Sequence, residues 1–481
     1  MLVQNAEIDG EITQVRCSGK EIVEIAPSLS PSANEKCLDA QGGALLRGLH
    51  DHHLHLFSLA ADLASAPCGP PHVETEGDLK KQLANAVPQN GWVRGTGYFE
   101  SVAGRLDRNR LDALGPSRPL RIQHRSGAMW FLNSLAIETL DLESDSAHTE
   151  YPTGLERDER GRPTGRIFRA DGWLRERLSD VAPPDLSAVG SLLSRYGVTG
   201  VTDATPTNGS PELDLFREAQ NRGALPQKLR MMGRDSLDAA SPTNTGPRLS
   251  IDAFKILLDE PALPSLDELV NSIRRAHSNN RGVAVHTVTR SEIFFALTAL
   301  EAARSHPGDR LEHASVAPPE AMDKVVALGV RIVTQPNFIA ERGDAYREHV
   351  AAIDQPHLYK VQSWIDRHVP LALGTDAPFG DPDPWHAMRA AVRRETSSGV
   401  QLGPAECISP ETALALFDPE RILVAGPGLV QPGDGPRPLR PGDPADLCLL
   451  GLPWSQARSR LRREDVRATV CAGQIVYSRE P

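Results

Sequence analysis

Arg47-Gly48-Leu49-His50-Asp51-His52-His53-Leu54-His55-Leu56 is a run of extended-chain character that ends in alternating histidines. In a strand, every second side chain shares a face, so His53 and His55 point one way while His50 and His52 point the other. Two imidazoles on one face can converge on a single cation. The chain has 15 histidines in 481 residues, so one H-x-H decides little by itself, and its place in the wider pattern matters more.

That pattern is a recurrence of short apolar runs. After ALLRGLHDH come VTGVTDA, KLRMMGR, DAFKILLD, GVAVHT, DRLEHAS, VRIVTQP and PLALGTDA. Most are separated by segments of helical period, such as Leu266 to Ala276, where Ser265 and Glu268 form a capping box. Alternating strand and helix implies parallel pairing, and near-continuous apolarity implies strands covered on both faces. The spacing therefore predicts an α/β fold, a closed (β/α)8 TIM barrel whose chemistry sits at the C-terminal strand ends.

Both chain ends read differently. Residues 1–46 and 426–481 hold only short strands, and the latter begin with a Pro/Gly-dense stretch from Gly426 to Pro444. Neither end has enough strands for its own core, so the two are expected to pair in one small β-sandwich. The barrel is expected over 47–425, with an insertion of about 57–190 placed over its mouth. Of the insertion's aromatics, Trp92 and Trp173 are read as its core, and Tyr98 and Trp130 as candidates to contact an apolar or planar substrate.

Fifty-two basic and 63 acidic side chains give a net charge of −11, which disfavours nucleic acid and anionic membrane surfaces as partners. No apolar run approaches the roughly 20 residues of a membrane helix. The first residues lack the basic-then-apolar order of an export signal, and the six cysteines are scattered without a C-x-x-C pair. A cytoplasmic protein acting on a small molecule is expected, with homo-oligomerisation left open.

The polar residues that close the later runs are Lys255, His286, His313 and Asp376, on strands four, five, six and eight. A lone histidine in an apolar run is ordinarily a packed core residue. Five residues suited to a divalent metal, His53, His55, His286, His313 and Asp376, all at strand ends of one barrel, outweigh that reading. Lys255 allows two readings: a desolvated, CO2-reactive amine inside the barrel, or an ammonium facing outward or paired with Asp259 or Glu260. Gln335 and Asn337, which end strand seven, are placed to contact substrate or to orient a ligand. No G-x-S-x-G elbow or P-loop is present.

These stretches resemble the amidohydrolase superfamily, specifically its YtcJ-like amidohydrolase family 3 branch, across nearly the whole chain. RGLHDHHLHL resembles the family's P-G-x-x-D-x-H-x-H, GVTGVTD its G-[IV]-T-x-V-x-D, FKILLDE its lysine strand and DRLEHAS its R-I-E-H; TQPNF, LALGTDAPFGDPDPWHAMRAAVRRET, ISPETALALF and RPGDPADLCLL follow in order. The resemblance implies a distorted (β/α)8 TIM barrel with a small β-sandwich built from both termini, and one or two divalent ions, zinc by default. His53 and His55 would hold the more buried ion, an N6-carboxylated Lys255 would bridge, and His286 and His313 would hold the second. Asp376 would be both ligand and proton shuttle, and His286 a ligand or a donor to the substrate oxygen. The implied reaction is hydrolysis of a non-peptide C–N bond of amide, formamide, carbamate or urea type by a metal-activated hydroxide. The alternatives are a ring deaminase of the same superfamily and a metal-binding scaffold without turnover. The chain departs from the family at Arg47, at Glu260, at His286-Thr287-Val288-Thr289-Arg290 and at Ser126-Gly127-Ala128, and the changes fall where substrate recognition is expected.

Overall fold

Eight parallel strands form one sheet: β1 (Leu49–Leu54), β2 (Val198–Asp203), β3 (Lys228–Gly233), β4 (Leu249–Ile256), β5 (Val283–Thr287), β6 (Arg310–His313), β7 (Arg331–Thr334) and β8 (Leu371–Leu373). Their order in the sheet follows the chain from β1 to β8. The computed structural model describes residues 1–70, 72–143, 151–178, 184–238, 246, 248–420 and 435–479. β1, β2 and β6 are buried at every position, as a sheet covered on both faces requires. The helix Leu266–Ser278 carries the expected capping box of Ser265 and Glu268.

The two edge strands meet beyond their ends. Asp376 donates its backbone N–H to the His53 carbonyl at 2.8 Å, and His55 donates to the Ala377 carbonyl at 2.8 Å. These bonds nearly close the sheet into a barrel, and they do so at the residues read as ligands. The approach is tight: a Cβ on Gly374 would lie 2.7 Å from the His53 nitrogen and 3.1 Å from Asp51 Oδ1.

The terminal strands form two four-stranded sheets. One runs in the order Glu21–Ala26, Glu11–Ser18, Leu2–Ile8, Cys37–Asp39, and the other Gln474–Ser478, Val466–Cys471, Leu447–Leu450, Leu45–Arg47. Val3, Val15 and Ile22 from the first pack with Leu45, Leu447 and Val470 from the second in one apolar core. The expected barrel-to-sandwich boundary at 425/426 lies outside the described residues.

Residues Phe57–Asp185 form a separate compact unit built on a six-stranded sheet. Tyr98 and Trp130 are packed inside it: the Tyr98 hydroxyl donates to the Gly104 carbonyl at 2.5 Å, and Trp130 sits in a cluster with Trp92, Leu132 and Ile167. Both are spent on that unit's own core, so the aromatic wall read from the sequence is interior packing. Among the described residues no helix is long and apolar enough to cross a membrane.

Replacing Gly374 by alanine forces a methyl group between the first and last strands. Overpacking of this kind costs about 1–3 kcal/mol, and Gly374→Ala is expected to lower the thermal unfolding midpoint.

Candidate metal centre

β1 delivers His53 and His55 to the barrel's C-terminal end, and the turn after β8 delivers Asp376. One ligand atom from each of the three lies within 4.8 Å of the others. His55 Nε2 is 3.2 Å and His53 Nε2 3.5 Å from Asp376 Oδ1. His313 is brought to the same place, its ring centroid 4.7 Å from that of His53 and 4.5 Å from that of His286. Lys255 is buried beside them.

Two of these residues stand in the left-handed backbone region, His313 at φ +69° and Asp376 at φ +58°. Non-glycine residues there cost about 1–3 kcal/mol each and persist where surrounding contacts over-determine them. At His313 the consequence is visible. Strict alternation would put the adjacent Glu312 and His313 on opposite faces, yet the Glu312 carboxylate bonds His53 and the His313 ring packs against it. The turn at Asp376 is held by Asp51, whose Oδ2 accepts from the Thr375 hydroxyl at 2.5 Å and whose Oδ1 accepts from the Thr375 and His53 backbone N–H groups at 3.1 Å each. A register shift in β4 between Ile251 and Phe254 lets both Asp252 and Lys255 face the barrel interior, where Asp252 approaches Arg310.

Burial favours the neutral form of His53, His286 and His313, the form in which an imidazole ligates. Desolvation first, then the neighbouring Lys255 ammonium, pushes His53 well below the ordinary histidine range and His286 down to about 3; for His313 desolvation is joined first by His286. Lys255 is lowered to about 8, chiefly by burial.

The polar atoms at the centre fit a cation. His53 Nε2, Asp376 Oδ1 and Lys255 Nζ are buried without a hydrogen-bond partner; an unsatisfied buried group costs about 1–3 kcal/mol, and a cation shared by the first two, 3.5 Å apart, would relieve that cost, with Lys255 near enough to interact electrostatically with both. Neutral imidazoles with carboxylate oxygen are the donors that zinc and similar divalent ions take. Lys255 is 5% exposed and its Nζ is buried without a hydrogen-bond partner, which is the inward one of its two sequence readings.

Around the centre, other ring nitrogens are tied down. His53 Nδ1 contacts Glu312 Oε2, His55 Nδ1 lies 3.1 Å from Thr205 Oγ1, and His313 Nδ1 lies 2.8 Å from Gln335 Oε1. Gln335 thus spends its oxygen on a histidine, while its amide nitrogen has no partner. Asn337 donates to the Thr375 carbonyl at 3.1 Å and to Glu341 at 3.0 Å. His50 and His52 face away as alternation requires, bonding Thr202 Oγ1 at 2.9 Å and the Asp418 carbonyl at 3.2 Å. Sequence reading assigned no role to Asp51, Thr205, Glu312 or Arg310. The available signal was Arg310-Leu311-Glu312, two charges at i and i+2 in a strand buried on both faces.

A model of the amidohydrolase family matches residues 36–477. The N-substituted formamide deformylase of Arthrobacter pascens is 28% identical, with 95% of this chain and 92% of that protein covered. The putative amidohydrolase YtcJ of Bacillus subtilis (strain 168) is 24% identical, with 94% and 92% covered. Among solved structures, an uncharacterised metal-dependent hydrolase of Pyrococcus horikoshii OT3 superposes with a TM-score of 0.70 at 19% identity, covering 90% of this chain and 95% of that one.

Asp51→Ala removes the only side chain that binds both Thr375 and the His53 backbone in these contacts. Stranding those donors is expected to destabilise the fold by about 1–3 kcal/mol, read as a lower denaturant midpoint at unchanged slope.

Proposed function

Because the chain belongs to the amidohydrolase family, we propose that it hydrolyses a non-peptide C–N bond, of amide, formamide, carbamate or urea type, at a metal centre held by His53, His55, Lys255, His286, His313 and Asp376. The observation that carries this reading is the convergence of His53, His55 and Asp376, with His53 Nε2 and Asp376 Oδ1 3.5 Å apart and both, like Lys255 Nζ, buried without a hydrogen-bond partner. Similarity to a formamide deformylase over nearly the whole chain supports formamides as the first substrates to test. Zinc is the default by donor type. A divalent ion in this position supplies Lewis acidity, lowering the pKa of water toward ~7 and polarising a carbonyl oxygen.

The chain's own residues do the rest. Asp376, at the mouth and 3.2 Å from His55, accepts a proton from the attacking water at its carboxylate and returns it to the departing nitrogen, so that the amine leaves neutral. The Asp51 clamp on Thr375 holds that carboxylate in place. His286, its ring centroid 4.5 Å from that of His313, would ligate or donate to the substrate oxygen. Lys255 Nζ, when neutral, adds to CO2 through a new N–C bond with loss of one proton, and the resulting carbamate presents two oxygens in place of an amine.

The ring-deaminase reading calls for an acid shortly after the strand-five histidine. The first acid there, Glu292, accepts from the backbone N–H groups of Val288 at 2.7 Å, Thr289 at 3.0 Å and Glu260 at 3.0 Å. It is occupied as a helix cap, so the observation favours the amide-type reading.

Purified protein loaded with zinc is expected to hydrolyse at least one member of a panel of N-substituted formamides, amides, carbamates and ureas. Asp376→Ala is expected to lower kcat by about 10² to 10⁴-fold, the usual worth of a general acid–base. Retained metal without turnover on any panel member would instead support a binding scaffold. With 13C-labelled bicarbonate, the wild type is expected to give a carbamate carbon resonance that Lys255→Arg lacks.

A further inference from the structure

We propose that Glu312 is a positioning residue that fixes the tautomer of His53 and so aims its Nε2 at the metal. This rests on the metal-centre reading above and adds a residue to which no role has been given. Glu312 is fully buried on β6. Its Oε2 meets His53 Nδ1, and its Oε1 lies 2.6 Å from Arg310 Nε. A guanidinium has donors and no acceptor, so the carboxylate faces a cation on one side and can only accept from the imidazole on the other. His53 therefore carries its proton on Nδ1, and the lone pair is left on Nε2, the atom that is buried without a partner and 3.5 Å from Asp376.

The charge is not isolated. Arg310 Nη1 lies 3.4 Å from Asp252 Oδ2 on β4, and Arg230 on β3 acts favourably on Asp252 while donating to the Pro419 carbonyl at 2.6 Å. Barrel interiors are usually layers of branched apolar side chains. Here a chain of charges runs from buried Arg230 through half-buried Asp252 to buried Arg310 and Glu312, ending on a histidine at the mouth. A buried ion pair of this kind is weak as a source of stability compared with an apolar filling, but it fixes one orientation of each member. At His55 the neighbour is the Thr205 hydroxyl, which can donate or accept; at His313 the Gln335 amide oxygen, an acceptor, favours the same Nδ1–H tautomer, and His53 is distinguished by having a charged carboxylate in that position.

Glu312→Gln keeps the shape and removes the charge. Outer-shell partners of ligating histidines are commonly worth 10–100-fold in metal affinity, and the apparent zinc Kd of full-length Glu312→Gln is expected to weaken by that factor relative to wild type. Selective 15N-histidine NMR of the metal-free wild type, with His53→Ala used for assignment, is expected to report the Nδ1–H tautomer at His53. An unchanged Kd in a folded Glu312→Gln, or an Nε2–H tautomer in the wild type, overturns the proposal. A drop in unfolding temperature with an unchanged Kd assigns Glu312 to stability alone and also overturns it. Failure of the wild type to bind zinc counts against the metal-centre reading instead, and the tautomer measurement, which needs no metal, still decides the role of Glu312.

Discussion

The pair of backbone hydrogen bonds that join Asp376 to His53 and His55 to Ala377 is the constraint on which the rest depends. β1 and β8 are separated by more than three hundred residues of chain, and these bonds bring their ends into register where the ligand-type side chains sit. Closure of the sheet and assembly of the centre are thus one event. The Asp51 carboxylate reinforces it, bonding the backbone on both sides of the seam, and the glycine at 374 makes room for it. Left-handed φ values at His313 and Asp376 mark where regular strand geometry gives way to that arrangement.

Beneath the mouth, the interior is polar to an extent that a parallel barrel rarely tolerates. Arg230, Arg310 and Glu312 are buried and Asp252 half-buried; Arg310 pairs with Asp252 and Glu312, and Asp252 acts favourably on Arg230. The same low-dielectric surroundings that make unpaired charge costly favour neutral His53, His286 and His313 and depress Lys255. Burial therefore prepares the donors for a cation before any cation arrives.

The fold was legible in the sequence because its signal is local and repeated: apolar runs near one strand in length, helical period between them, and the Ser265–Glu268 cap. The convergence of His53, His55 and Asp376 was legible through alternation and the rule that barrel chemistry lies at the C-terminal strand ends. Tyr98 and Trp130 misled because composition cannot tell an aromatic facing a ligand from one inside a core. Asp51 and Glu312 escaped because their partners, Thr375 and His53, are 324 and 259 residues away in sequence, and no local pattern encodes such a pairing. His313 joined the cluster through a positive φ, which strand alternation does not foresee.

The central claim is that these side chains surround one cation site. An anomalous-scattering map of crystals grown from zinc-loaded protein tests it most directly. The account predicts a peak about 2.0–2.2 Å from nitrogen of His53 and of His55 and from an Asp376 oxygen, with His53 bound through Nε2. A zinc-loaded crystal with its peaks elsewhere, or with none at the end of β1, would contradict it.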